Sequence, residues 1–106
     1  MIVAEYETKH NRLTVKGHAG AAPKGEDLIC AGVTTLVEAL NVALEDLDKR
    51  GWLASGEARL EEGEAFFQAR GDQGANEIVR GVFLNTVSGL RWLEANFPDY
   101  IRVNVF

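Results

Sequence analysis

The chain has 106 residues, of which 46% are hydrophobic, and its formal net charge at pH 7 is −5. This length suits a single domain spanning residues 1–106 with one hydrophobic core, and it is too short for two cores. The 11 basic residues are scattered, whereas phosphate contacts need clustered lysines and arginines, so nucleic acid is not expected as a partner. An acidic surface instead favours encounter with a basic partner.

The cysteine and histidine content sets further limits. One cysteine excludes an internal disulfide, and the sequence shows neither a secretory leader nor an apolar run of membrane-spanning length, so we expect a cytoplasmic location and no membrane partner. One cysteine and two histidines also provide too few soft ligands for a convincing zinc site. Neither a metal nor a cofactor is therefore expected.

The N-terminal part of the chain predicts two strands joined by a tight turn. The stretch from Ile2 to Thr8 alternates in hydropathy, which is typical of a strand with one buried face. The turn that follows contains Asn11, which tolerates positive φ, and a second strand runs from Arg12 to Gly17. His10 lies in this turn, where a solvated side chain is expected.

A glycine-rich loop separates the second strand from a helix. Asp27 is a good N-cap, which makes Leu28 the first helical residue and places Cys30 in the first turn. Backbone N–H groups in a first turn lack intrahelical partners, and the positive end of the helix dipole favours a thiolate over a thiol.

The helix that runs from Asp27 to about Lys49 has the strongest periodicity in the chain. Its apolar residues recur at steps of three and four, which predicts one buried stripe, and Gly51 is a suitable stop. We interpret the stripe as core rather than as a ligand groove. Its members are Ile29, Val33, Leu36, Val37, Leu40, Leu44 and Leu47.

The second half of the chain predicts two short strands, a helix and a closing strand. The two strands are Ala58 to Glu61 and Glu64 to Arg70, the helix runs from about Asn76 to Asn96, and the last strand is Tyr100 to Phe106. The expected buried face of this helix comprises Val79, Val82, Phe83, Val87, Leu90 and Leu93. The order ββαββαβ predicts an α/β protein of the α+β two-layer type, with a small mixed sheet and two helices mainly on one face.

His18 and Cys30 are the candidate catalytic residues. His18 leaves the end of the second strand, and Cys30 follows twelve positions later at the start of the helix. A glycine-rich loop between them can bring the imidazole within hydrogen-bond reach of the sulfur, as a cysteine nucleophile and its base require. A lone cysteine is also often a packed small hydrophobe, so spacing alone leaves a structural role open.

The residues around this loop follow a distinctive pattern, Gly17-His18-Ala19, a short loop with glycine, and Gly25-x-Asp27-x-x-Cys30-Ala31-x-Val33-Thr34. This pattern resembles the signature of the ribosomal-processing cysteine proteases, the Prp family. The resemblance extends over essentially the whole chain and implies an endopeptidase that removes the N-terminal extension of a bacterial large-subunit ribosomal protein, the twenty-seventh in standard naming. It also implies a homodimer.

Carried over by position, the resemblance makes Cys30 the nucleophile and His18 the base. Asp27 is the acidic residue of the motif, and two roles stay open for it, orientation of His18 and capping of the helix. Thr34 departs from the serine that the family often has there, although a hydroxyl is retained. The expected substrate loop comprises Gly17, Ala19, Gly20, Pro23 and Gly25.

Two other functions are considered. The first is a noncatalytic domain that binds a basic ribosomal protein, with Cys30 merely packed. The second is a thiol redox or acyl-transfer protein, which is disfavoured because the chain has no resolving cysteine.

Overall fold

The computed structural model describes the backbone of residues 1–17 and 25–106 and the side chains of residues 1–17 and 28–106. Within these residues, five strands and two helices follow one another in the predicted order ββαββαβ, and a short 3-10 helix, Thr8–His10, joins the first two strands. The elements are β1 (Ile2–Glu7), β2 (Arg12–Gly17), α1 (Gly25–Lys49), β3 (Leu53–Glu61), β4 (Glu64–Gly71), α2 (Asn76–Asn96) and β5 (Ile101–Val105).

The strands form one mixed sheet in the order β3-β4-β2-β1-β5. β1 pairs antiparallel with β2 and parallel with β5. β4 lies antiparallel between β2 and β3. The predicted small mixed sheet is therefore confirmed, and β3 and β5 are its edges.

One face of the sheet carries the core. Tyr6 of β1 lies beside Leu13 of β2, which in turn pairs with Phe67 of β4, and all three side chains are fully buried. The Tyr6 ring stacks on Phe83 of α2 with 6.0 Å between ring centroids. Because both helices bury their apolar stripes in this same cluster, they lie mainly on one face of the sheet, as predicted.

The buried stripes of the helices are close to those predicted. All members of the predicted α1 stripe are buried except Leu36, which is half-buried. Leu36 packs against Gly89 of α2, where a Cβ would lie 2.6 Å from Leu36 Cδ2. Glycine at this position thus permits the close approach of the helices. In α2, Val82 is half-buried, and Thr86, which the apolar pattern does not include, is buried. Its hydroxyl donates to the Val82 carbonyl oxygen at 3.3 Å and is thereby satisfied.

Two element boundaries differ from the prediction. β3 begins at Leu53 rather than at Ala58, and every residue after Leu53 is exposed. An edge strand exposed on both sides lacks the alternation that marks the inner strands, so its first half has no sequence signal. α1 begins at Gly25, so Asp27 lies within the first turn and not at the predicted N-cap position.

Helix α1 is also more apolar than we expected from the sequence. Between Leu28 and Lys49 it reaches a mean hydropathy of 1.5, and by length and composition alone this stretch could cross a membrane. The expectation that the chain has no apolar run of this length is therefore corrected. Packing accounts for part of this composition, because the helix buries its stripe from Ile29 to Leu47 in the core. Only 28% of the apolar stretch is buried, however, and Leu28 and Val42 are exposed.

Candidate active site

A groove of about 340 Å³ lies between the N-terminal half of α1 and one end of the sheet. Cys30 and Thr34 line it from α1, one turn apart, and Gly17 lines it from the end of β2. The turn between β3 and β4 forms the remaining wall. Cys30 is half-buried and packs partly against the core. The residue is therefore held by its surroundings without being sealed in the interior.

The position of Cys30 in α1 differs from the predicted one. Because the helix begins at Gly25, Cys30 is its sixth residue and lies beyond the first turn. An α-helix supplies the carbonyl of Glu26 as acceptor for the Cys30 N–H, so this N–H is not available to a ligand. Helical side chains lean toward the N-terminus, which still directs the Cys30 side chain toward the first turn.

Gly17 fixes the point at which the chain leaves β2. Its φ is +100°, and a Cβ at this position would collide with the Met1 carbonyl oxygen, so the site requires glycine. The Gly17 N–H donates to the Gly63 carbonyl oxygen at 2.9 Å, which ties β2 to the β3–β4 turn. His18 is the next residue in the sequence, so β2 brings the chain to the groove immediately before His18.

The structure brings Gly17 and Cys30 into one groove. Gly25 and Asp27 are the first and third residues of α1, and their side chains are not among those described. The pairing of the predicted base with Cys30 stays a prediction, as does the composition of the substrate loop. The predicted site residues outside the described part of the chain are His18, Ala19, Gly20 and Pro23.

Four exposed glutamates, which we call the acidic rim, surround the groove. Lys16 Nζ lies 3.9 Å from Glu64 Oε1, and no other ion pair reaches the rim within the described residues. The rim therefore keeps a net negative charge beside Cys30. These glutamates have no role predicted from the sequence, although their clustering around Gly63 is a signal that could have indicated one. The rim consists of Glu38 on α1 and Glu61, Glu62 and Glu64 on the β3–β4 hairpin.

A second, smaller groove of about 160 Å³ lies farther along α1, between its C-terminal half and β3. Glu45 and Asp48 line it from the helix, and Glu57 lines it from the strand. Both grooves follow the boundary between α1 and the edge strand. An extended chain lying along this boundary would therefore meet carboxylates from the Cys30 end to the far end of α1.

His10 lies at the opposite end of the sheet. It is exposed, as expected of a turn residue, and its Nδ1 is hydrogen-bonded to the Glu7 carboxylate. This bond, together with the charges of Arg12 and Lys9, lowers the pKa of Glu7 below its usual range. β2 separates His10 from the groove by about 20 Å, so His10 is not placed to act as a base for Cys30.

Comparisons with known proteins agree with this fold. The chain resembles SMU.848 from Streptococcus mutans at 23% identity and a TM-score of 0.71, over 99% of this chain and 91% of that chain. It resembles the essential ribosomal processing protease Prp from S. aureus, bound to a covalently linked product peptide, at 18% identity and a TM-score of 0.71 over 100% of both chains. For the same S. aureus protease with a substrate peptide, the values are 16% and 0.72, again over 100% of both chains.

None of the curated proteins compared with the chain matches it. The model of the family described as cysteine protease Prp, however, matches residues 1–102. That range contains both walls of the groove and Cys30 itself. The chain therefore belongs to the Prp family of cysteine proteases.

Proposed function

We propose that this chain is a cysteine endopeptidase in which Cys30 is the nucleophile and His18 the general base. The main support is that Cys30 shares a groove with Gly17, the residue that precedes His18. A nucleophilic side chain must be accessible to the carbonyl carbon of the substrate, and packing on its other side must fix its position. The half-buried position of Cys30 against the core fits both conditions.

In the proposed reaction, His18 accepts the proton of the Cys30 thiol and the sulfur attacks the peptide carbonyl carbon. The C–N bond then breaks, His18 returns the proton to the leaving amine, and water hydrolyses the thioester. Residues 25–27 at the start of α1 have backbone N–H groups without intrahelical acceptors. Because the Cys30 side chain leans toward them, we assign the oxyanion to these N–H groups rather than to that of Cys30.

Asp27 has two candidate roles, since it lies in the same first turn of α1. As a carboxylate near a helix N-terminus it stabilises the helix, and as a partner of His18 it would orient the imidazole. Asp27→Asn separates the two roles. If Asp27 stabilises the helix, the substitution lowers the free energy of unfolding and has little effect on turnover. If Asp27 orients His18, the substitution changes the pH profile of cleavage.

The proposed substrate is an N-terminally extended ribosomal protein precursor. The S. aureus protease of the same fold is described as a ribosomal processing protease and has been crystallised with a substrate peptide. In this chain, the acidic rim and the carboxylates of the second groove complement a basic peptide. We therefore propose that positively charged residues of the precursor lie along the boundary between α1 and β3.

The test is incubation of the precursor with the parent protein and with Cys30→Ala and Cys30→Ser. We expect cleavage by the parent and a loss of about a thousandfold or more in both variants, because the nucleophile is removed or weakened. Unchanged cleavage by either variant would disprove the assignment. A parent protein that binds the precursor without cutting it, with Cys30→Ser binding equally well, would instead support the noncatalytic binding domain.

We also propose a homodimer. Ile78 and Trp92 are 45% and 62% exposed on α2, and their spacing of fourteen residues puts them on the same helix face. The free edge of β5, with Val105, is the other candidate contact. Light scattering should give a dimer for the parent and a monomer for Trp92→Glu if the helix face is the contact. Trp52→Glu, at another exposed tryptophan, serves as the control.

The proposed location is the cytoplasm. The mechanism needs a reduced thiol, and Cys30 is partly exposed and thus open to oxidation. A reducing compartment maintains that thiol.

A further inference from the structure

A second polar pocket, of about 270 Å³, lies at the end of the sheet remote from Cys30. It is built from the turn after β1, from β3 and β4, and from the first turns of α2. Of its ten described lining residues, four carry basic side chains and none is acidic. In the chain as a whole, acidic residues outnumber lysines and arginines by 16 to 11. The pocket is therefore basic although the chain is acidic. The basic residues are Lys9, His10, Arg70 and Arg80.

The charges of this pocket are largely uncompensated. Among the described residues, the ion pairs involve His10, Arg12, Lys16, Arg50 and Arg59, so Lys9, Arg70 and Arg80 have no described carboxylate within ion-pair distance. Glu7 is the carboxylate that contacts the pocket wall, and it is engaged by both His10 and Arg12. Burial raises the pKa of the Tyr6 hydroxyl, and Arg80 lies close enough to lower that pKa by a smaller amount.

Two asparagines add neutral donors to the pocket wall. The Asn11 Oδ1 accepts a hydrogen bond of 2.8 Å from the buried Tyr6 hydroxyl, and the Asn76 Oδ1 accepts one of 3.2 Å from the Gly71 N–H. With each carboxamide oxygen occupied, the group that remains for a ligand is the NH₂ donor. Gly71 itself cannot be replaced, because a Cβ would lie 2.5 Å from Asn76 Cα.

We propose that this basic pocket binds a small phosphate-bearing anion, such as pyrophosphate or the phosphate tail of a nucleotide. A phosphate accepts hydrogen bonds from several directions, which suits a pocket lined by arginines from two different elements and by two asparagines. The volume exceeds that of one phosphate and leaves room for an adjoining group. No phenylalanine, tyrosine or tryptophan lines the pocket among the described residues, and the ring of His10 is hydrogen-bonded to Glu7, which argues against stacked RNA bases as the ligand. The proposal does not depend on the chemistry of Cys30.

The test is calorimetric titration of the intact protein with inorganic pyrophosphate at low ionic strength. We expect one site per chain, and a loss of about tenfold or more in affinity for Arg80→Gln and for Arg70→Gln, because each removes a charge-assisted hydrogen bond. Arg91→Gln makes the same charge change on α2, about 16 Å farther along the helix, and should leave the affinity within about twofold. Lys9→Gln provides a third pocket variant if either arginine substitution impairs folding.

Three results would overturn the proposal. The parent protein could fail to bind millimolar pyrophosphate, or Arg91→Gln could weaken binding as much as the pocket variants, which would indicate general surface electrostatics. A single-stranded RNA oligonucleotide could also bind more tightly than pyrophosphate with the same dependence on Arg70 and Arg80, which would assign the pocket to a nucleic acid backbone. Cys30→Ala should bind pyrophosphate normally, so this result is independent of whether the protease proposal holds.

Discussion

The two ends of β2 lie in opposite electrostatic surroundings. At the Gly17 end, the acidic rim surrounds the groove that holds Cys30. At the Arg12 end, about 20 Å away, the basic pocket gathers lysine, histidine and arginine side chains. The net charge of −5 does not show this separation, because it is a sum over the whole chain. The two surfaces suit ligands of opposite charge. Each end should therefore respond to substitutions that leave the other unaffected.

The two histidines provide the sharpest test of this separation. His18→Ala should reduce cleavage of the precursor by a factor of about 10² to 10⁴, because it removes the proposed general base. The same variant should lose rapid labelling of Cys30 by iodoacetamide below the pH range of a free thiol. His10→Ala, at the basic end, is the matched control and should retain both activities. Equal losses in the two variants would mean that His18 has no special relation to Cys30.

The next largest effect is expected from Gly17, which ends β2 beside the groove. Gly17→Ala should lower the free energy of unfolding by about 3 kcal/mol, since the new Cβ collides with backbone and the residue has positive φ. Gly51 has a φ of +77°, and no atom lies within 4 Å of the position that a Cβ would occupy there, so Gly51→Ala should cost only about 1 kcal/mol. Urea unfolding measures both values, and equal costs would contradict the assigned collision.

The two ends of β2 also differ in how much of their structure can be predicted from the sequence. The strands that carry Tyr6, Leu13 and Phe67 alternate because one face is buried, and the helix stripes repeat for the same reason, so the fold was predictable. The proximity of Gly17 and Cys30 was predictable too, because β2 and α1 follow one another directly in the chain.

The basic pocket was not predictable in this way. Lys9, Arg70 and Arg80 are far apart in the sequence and meet only because α2 and the turn after β1 both lie against β4. The first half of β3 was missed because both of its sides are exposed and its hydropathy does not alternate. The start of α1 was also missed, since Asp27 is a favourable N-cap residue that suits a first turn equally well.

The acidic rim should act on substrate binding more than on chemistry. In the double variant Glu61→Gln and Glu62→Gln, we expect the KM for a basic precursor to rise several-fold with kcat nearly unchanged, because rim charges attract the substrate without contacting the reacting atoms. The salt dependence of kcat/KM should weaken in parallel. Glu5→Gln with Glu77→Gln makes the same change in net charge away from the groove. An equal rise in KM for this control would attribute the effect to net charge alone.

The smallest expected effect concerns the acid stability of the basic end. The hydrogen bond with His10 is the main cause of the lowered pKa of Glu7, and the Arg12 charge adds to it. Between the ordinary pKa of a glutamate and this lower value, the unfolded chain binds more protons than the folded chain, so the contribution of Glu7 to stability declines as the pH falls through that range. Above it, the contribution is fully present.

Unfolding by urea between pH 7 and about pH 3 measures this contribution. The difference in stability between the parent and Glu7→Gln should be constant at neutral pH and should shrink below about pH 4.5, the ordinary value for a glutamate. His10→Gln removes the principal partner and should lose most of the same acid-dependent difference, although it retains the carboxylate. If Glu7→Gln instead follows the parent at every pH, the carboxylate is not held by its neighbours, and it would be available to offset the cations of the basic pocket.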